Sequence, residues 1–239
     1  MLIFYKNYDT KKKLLIVVPY RNRQNHLNEF IPYITNTVRS QRIENKIVVV
    51  EQSPEKFFNR GLLSNIGFNL YQKECDYICI HDVDIIGENF DYSYEPIVTH
   101  LSARWKNGDY KEFYARCLGG VTLFPKEDFI KINGFSNEYW GWGAEDDDLR
   151  LRCDVMYVKV QRKQGRFFSL PHDTMQSKDR PQKSPGYMEN LRKLNKFIQQ
   201  NHEKRLQTLK NDGLNNVKNY YSVMQIIEET NYTFIKTQI

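Results

Sequence analysis

With 239 residues, 40% of them hydrophobic and 14% aromatic, the chain has ample material for one packed α/β core. No segment approaches the roughly 18 apolar residues of a membrane-spanning helix, and the opening MLIFYKNYDTKKK is too short and too polar for a signal peptide, so one soluble or cytoplasmic domain over residues 1–239 is expected. A net charge of +6 fits a polyanion such as a nucleotide diphosphate, and fits nucleic acid or an acidic membrane surface equally well, so charge alone excludes none of them. The cysteines at 75, 79, 117 and 153 lack the paired spacing of a zinc site. On one extended strand Cys75 and Cys79 stand about 13 Å apart, beyond disulfide reach, which favours a reducing compartment.

In chain order, Leu14 to Val18 is a continuous apolar run ending at Pro19, the pattern of a strand buried on both faces. Its loop, PYRNR, delivers Arg21 and Arg23. Leu27, Phe30, Ile31, Ile34 and Val38 recur at helical spacing, with Pro32 marking a kink or a late start. IVVVEQ from Ile47 reads as a second buried strand. Leu62, Leu63, Ile66 and Leu70 mark a helix beginning just after Arg60, and a helix N-terminus flanked by an arginine suits a phosphate. Tyr77 to Ile80 forms a third strand running into HDVD. The order β-α-β-α-β implies a parallel sheet, with PYRNR and HDVD facing one cleft beyond its carboxyl ends. Residues 91–116 read as irregular and aromatic, and GGVTLFPKEDFIKINGF as a strand, a turn and a short helix. A polar stretch follows from Thr174 to Gly186. Met188, Leu191, Leu194 and Phe197 or Ile198 then outline a basic amphipathic helix. No internal repeat is present.

Two acidic motifs carry the chemistry. In NEYWGWGAEDDDLRLRC, Trp140 and Trp142 offer flat faces to a sugar ring, Gly141 and Gly143 allow close backbone approach, and Glu145, Asp146 and Asp147 can accept hydroxyl protons. The competing explanation is a glycine turn with acids capping a helix that begins near Asp148, although one cap needs one carboxylate rather than four. In HDVD, strand alternation would turn Asp82 and Asp84 to one face and Val83 to the other, and paired hard oxygen donors suit Mg²⁺ or Mn²⁺ with phosphate oxygens. His172, oriented by Asp173, could complete the metal sphere. His81 is expected to pack beside the site. The basic stretch from Arg192 to Lys218 reads as a solvated helix face, open to peripheral contact with acidic surfaces, rather than as a nucleic-acid site.

Taken together, PYRNR (Pro19 to Arg23), FNR (Phe58 to Arg60), DVD (Asp82 to Asp84), GG (Gly119 and Gly120), NGF (Asn133 to Phe135), WGWGAEDDD (Trp140 to Asp148) and GLNNVKNY (Gly213 to Tyr220) resemble the β-1,4-galactosyltransferase family, glycosyltransferase family 7. The likeness runs from about Leu14 to about Val223. HDVDIIGENFDY, the HD and KDR of His172 to Arg180, and GLNNVK resemble the branch that adds galactose to xylose on proteoglycan core proteins.

The resemblance implies a GT-A fold, Rossmann-like with a mostly parallel sheet flanked by helices. A nucleotide-binding half would span about 14–90 and an acceptor-binding half about 91–223. It implies an inverting enzyme that uses UDP-galactose and Mn²⁺ on a glycan or glycoside acceptor. Pro19, Tyr20, Arg21, Asn22, Arg23, Phe58, Asn59, Arg60, Asp82, Val83 and Asp84 would hold the donor; Asp84 and His172 would ligate Mn²⁺. Trp142 would border both substrates. Gly143, Ala144, Glu145, Asp146 and Asp147 would line the acceptor, with Asp146 as catalytic base. Two departures stand out. The family's further metal ligand falls on Leu170 or Ser169, neither a ligand type, and its donor-binding tyrosine falls on Glu112, near Tyr114. The first departure leaves a nucleotide-sugar or carbohydrate-binding module with weakened turnover as the alternative.

Overall fold

The apolar run at Leu14 divides between two cores because side chains alternate along a strand. In β1 (Leu14–Tyr20), Leu15 and Val17 pack on one sheet face with Leu62, Leu63 and Ile66. Leu14, Ile16 and Val18 pack on the other with Leu27, Phe30, Ile34 and Val38. The latter group lies on α1 (Gln24–Ser40), which begins well before Pro32 and continues through it, so Pro32 is not a late start. β2 (Asn45–Gln52) follows, then α2 (Arg60–Tyr71) and β3 (Tyr77–His81). Both β2 and β3 pair parallel with β1, so the expected β-α-β-α-β order is present. The computed structural model describes residues 12–105, 111–112, 117–163, 165–171, 184 and 186–239.

The middle of the chain holds more regular structure than its sequence suggested. β4 (Ile85–Glu88) follows the HDVD segment, and β5 (Val98–His100), β6 (Arg104–Trp105) and β7 (Lys111–Glu112) are short strands in the region read as irregular. β8 (Val121–Pro125) runs directly into α3 (Lys126–Lys131), without the expected turn between them. Next come α4 (Glu145–Val155), β9 (Val160–Arg162), β10 (Arg166–Ser169), the basic helix α5 (Tyr187–Gln199) and α6 (His202–Asn211). The chain closes with β11 (Ser222–Glu228) and β12 (Thr233–Gln238). Among the described residues the main sheet has the order β11-β12-β2-β1-β3-β8-β5-β9, and a smaller sheet has the order β4-β10-β6-β7. β12 pairs parallel with β2, so the end of the chain returns to the edge of the first half. This is a mostly parallel, Rossmann-like sheet with helices on both faces, as expected. All four cysteines are buried and free.

A buried polar network ties α4 and the segment after α6 to α2. Arg152 of α4, 1% exposed, donates Nε–H to Asp148 at 2.6 Å and Nη1–H to the Asp212 carbonyl at 2.8 Å. Asp212 in turn accepts the Asn137 backbone N–H at 2.8 Å. Asn137 donates to Asn216 Oδ1 at 2.9 Å and accepts from Asn65 of α2 at 2.9 Å. The asparagines of GLNNVKNY thus fasten the loop ahead of α4 onto α2. Replacing Arg152 with Met strands Asp148 and Asp212, and an uncompensated buried charge costs about 3–5 kcal/mol. Denaturant unfolding of R152M measures it; a loss below about 1 kcal/mol, the scale of exposed pairs, contradicts this role.

Candidate active site

Three segments remote in sequence meet beyond the carboxyl ends of β1 and β3. Arg23, just past β1, places Nη1 3.4 Å from Asp84 Oδ2. Arg60, the first residue of α2, donates Nε–H to Asp82 Oδ1 at 2.6 Å. Its Nη1 is buried and has no hydrogen-bond partner among the described residues. Burial works against the Arg60 charge, yet the carboxylates of Asp82, Glu145 and Asp146 raise its pKa above the ordinary arginine value. Burial likewise raises Asp82, outweighing the nearby guanidinium.

Asp82, Val83 and Asp84 do not extend the strand, contrary to the alternating arrangement expected of them. They form a turn between β3 and β4, closed by the Ile85 N–H donating to the Asp82 carbonyl at 3.2 Å. Val83 is still buried, in the α1-side core, while the two carboxylates go to arginines. His81 packs beside the site, as expected. Its Nδ1 donates to the Asp82 carbonyl at 3.0 Å, leaving Nε2 to accept from the Tyr92 hydroxyl at 2.9 Å. Burial pushes its pKa down to about 4, so the imidazole stays neutral.

The second acidic motif opens α4 at Glu145, three residues earlier than the sequence indicated, and no side chain caps the helix. The four acids therefore occupy a first turn where the helix dipole favours negative charge, yet they do different work. Asp148 belongs to the Arg152 network. Asp146 Oδ1 accepts the Asp147 N–H at 3.0 Å, and its Oδ2 lies 3.2 Å from Cys117 Sγ. Gly119 presses on the same carboxylate, since a Cβ there would stand 2.4 Å from Oδ2. Glu145, partly open to solvent, is pushed up to about 8 by burial and by the Asp146 charge, and is largely protonated at neutral pH.

The aromatic residues divide. Trp140 packs against the α2-side core with the Lys56 ammonium 5.2 Å from its ring centroid. Trp142 is 52% exposed beside Tyr187 of α5, their centroids 5.5 Å apart. Asn190 of α5 donates to the carbonyl oxygens of Trp140 and Trp142, at 3.1 and 3.4 Å. The Gly141 N–H donates to the Phe58 carbonyl at 2.8 Å, so the WGW and FNR loops are bonded together. Gly143 and Ala144, both at positive φ, lead into the acids, and Asp147 is the third acid of that first turn. Part of the basic stretch is already engaged: Lys193 and Arg205 donate to the carbonyl oxygens of Glu138 and Phe197.

Several residues of the motifs expected to hold the donor make scaffold contacts. Pro19 and Tyr20 are buried, and the Tyr20 ring meets Phe234 edge-on. Asn59 is fully buried; its Oδ1 caps α2 through the Leu62 N–H at 2.9 Å, and its Nδ2 donates to the Asn137 carbonyl at 2.8 Å. Arg21 lies over the Phe58 ring and donates to the Lys56 carbonyl at 2.7 Å, beside Asn22, whose φ is 55°. A cavity of about 870 Å³ opens here, lined by Arg21, Gln52, Lys56, Trp140, Met224 and Lys236 among others. It borders the donor loops, whereas Asp82, Asp84 and Asp146 lie outside its lining.

For a divalent cation, Asp82 and Asp84 supply the hard oxygen donors such ions prefer, and the orphaned nitrogen of Arg60 suits a metal-borne phosphate beside them. The Leu170 N–H donates to the Asp84 carbonyl at 2.7 Å and its side chain is buried, while Ser169 pairs in β10 with Ile85, so neither brings a strong ligand. His172 lies outside the described residues, as do Tyr114 and the side chain of Glu112. Among the described residues no three His, Cys, Asp or Glu side chains converge to hold a metal.

The sheet and a polar cleft at its carboxyl edge define a GT-A glycosyltransferase fold. Residues 5–96 match a family model described as the N-terminal region of glycosyl transferase group 7, and residues 99–175 one described as the N-terminal domain of galactosyltransferase. The chain belongs to the β-1,4-galactosyltransferase family, glycosyltransferase family 7. It is 40% identical over 155 residues to Homo sapiens beta-1,4-galactosyltransferase 4, covering 63% of this chain and 45% of the relative. To the Caenorhabditis elegans xylosylprotein 4-beta-galactosyltransferase it is 34% identical over 158 residues, 64% of this chain and 54% of the relative. The chain thus spans about half the length of the curated relatives it matches. A solved Drosophila β-1,4-galactosyltransferase 7 mutant in complex with manganese, UDP-Gal and xylobiose superposes with a TM-score of 0.75 at 28% identity, covering 95% of this chain and 94% of that one. No helix among the described residues is long and apolar enough to cross a membrane.

The raised pKa of Glu145 generates a pH prediction. The folded protein holds a proton that the unfolded chain releases, so this contribution is full at low pH and is lost as pH rises through about 8. Between about pH 6 and about pH 9 the melting temperature of E145Q should therefore rise relative to that of the unmutated protein. A difference that does not change with pH contradicts a protonated Glu145.

Proposed function

We propose that this chain transfers galactose from UDP-galactose to a hydroxyl of an acceptor sugar, in a β-1,4 linkage and with inversion. The acceptor is xylose-type or N-acetylglucosamine-type, the xylose class being favoured by the likeness to the xylobiose-bound structure. One observation carries the reading: buried Arg60 sits in the field of both Asp82 and Asp146 with one nitrogen unpartnered among the described residues. That charge pattern suits a phosphate on one side and a proton acceptor on the other.

In this mechanism Asp146 takes the proton of the acceptor hydroxyl as that oxygen forms its bond to the anomeric carbon. The bond from the same carbon to the diphosphate oxygen breaks on the opposite face, and UDP leaves with the electron pair. Arg60, Arg21 and Arg23 stabilise the negative charge that develops on the leaving group. Val83 and Phe58 border the nucleotide. Trp142, Ala144, Glu145 and Asp147 line the acceptor, which a neutral Glu145 meets as a hydrogen-bond donor as well as an acceptor. Mn²⁺, held by Asp84 and His172, would supply further neutralisation of the diphosphate.

The buried Leu170 favours a second reading, a nucleotide-sugar-binding module with weakened turnover. Release of UDP from a panel of UDP-sugars, with Mn²⁺ and with xylosides or N-acetylglucosaminides, separates the two. Acceptor-dependent release from UDP-galactose supports transfer; UDP binding without Mn²⁺-dependent transfer supports the module. In the transferase, Asp146→Asn should lower kcat by about 10² to 10⁴ while UDP affinity holds. Unchanged turnover removes Asp146 from its role.

A further inference from the structure

A general base is useful only if its carboxylate is held toward the substrate, and among the described residues the partners of Asp146 achieve this without a positive charge in direct contact. Asp146 Oδ1 accepts the Asp147 N–H at 3.0 Å, and Oδ2 faces Cys117 Sγ at 3.2 Å. The sulfur in turn accepts the Gly119 N–H at 3.3 Å. Burial and the neighbouring Asp146 charge raise the Cys117 pKa, so the thiol keeps its proton and donates it to Oδ2. Gly119 makes room for this approach, because any Cβ there would strike Oδ2 at 2.4 Å. A carboxylate has about four acceptor positions, so these two neutral donors leave lone pairs free for a substrate hydroxyl.

We propose that Cys117 is a positioning residue for Asp146: its thiol fixes the rotamer of the base through Oδ2 while leaving the carboxylate charge intact. The inference rests on Asp146 being the base and goes beyond that reading, since no family motif quoted above includes position 117. A misaligned base slows the chemical step without weakening substrate binding, so the effect falls on kcat. An apolar replacement removes the donor, whereas a hydroxyl retains it.

The test compares Cys117→Ala, Cys117→Val and Cys117→Ser in the full chain, reading kcat, KM for donor and acceptor, and melting temperature. Cys117→Ala and Cys117→Val should each lose about tenfold in kcat with unchanged KM, and Cys117→Ser should recover most of it. In an Asp146→Asn background, Cys117→Ala should cost nothing further, because both act through one carboxylate. Normal kcat in both apolar variants, failure of serine to restore it at a normal melting temperature, or a full additional loss in the Asp146→Asn background overturns the proposal. Loss of turnover in Asp146→Asn with none in Cys117→Ala overturns the positioning role alone. Full turnover in Asp146→Asn instead removes the base on which it rests.

Discussion

One guanidinium organises the acidic cluster beyond the carboxyl ends of β1 and β3. Arg60 stands where α2 begins, is bonded to Asp82 and lies in the field of Glu145 and Asp146. Without it, three carboxylates would crowd a poorly solvated space, where like charges suppress one another's ionisation. With it, Asp82 is paired, Asp146 has a compensating charge nearby, and the excess is relieved by a protonated Glu145. Arg60 can occupy that place because Asn59 starts α2 at this point. The Asn59 side chain caps the helix and at the same time ties it to Asn137, just ahead of the WGW loop.

Precision at α4 comes from a second, drier assembly. Arg152, Asp148, Asp212 and Asn137 form a buried network linking α4, the segment after α6 and α2. It accounts for the fourth acid of the motif, Asp148, whose carboxylate is held by Tyr139 and Arg152. It also accounts for GLNNVKNY, whose Asn215 and Asn216 bond the side chains of Asn133 and Asn137 in the loop before α4. Neutral partners then make the finest adjustment: a thiol and a backbone N–H on Asp146, and a side-chain amide from α5 on the carbonyl oxygens around Gly141.

The first five elements were legible because both periodicities are strong there, the buried run of β1 and the helical spacing of α1 and α2. Legibility fell where strands are short or exposed. β5 and β6 have three and two residues, too few for alternation to register. β11 is exposed at nearly every position and presents no buried stripe, although Thr233, Ile235 and Thr237 of β12 alternate inward against β2. In the site, sequence located the acids and arginines but could not sort them. Tyr20 and Asn59 sit inside motifs expected to hold the donor and also pack or cap the scaffold, through partners far along the chain. Cys117 left no signal, because its role depends on a contact across 29 residues.

The central claim is that the diphosphate and the acceptor hydroxyl share one cleft between Asp84 and Asp146, with Arg60 at its wall. An experimental structure with UDP, Mn²⁺ and an acceptor xyloside tests it most directly, through two distances. The account predicts a diphosphate oxygen within hydrogen-bond reach of Arg60 and an acceptor hydroxyl within reach of the Asp146 carboxylate. A diphosphate bound away from Arg60, or an acceptor seated with Asp146 facing none of its hydroxyls, would contradict it.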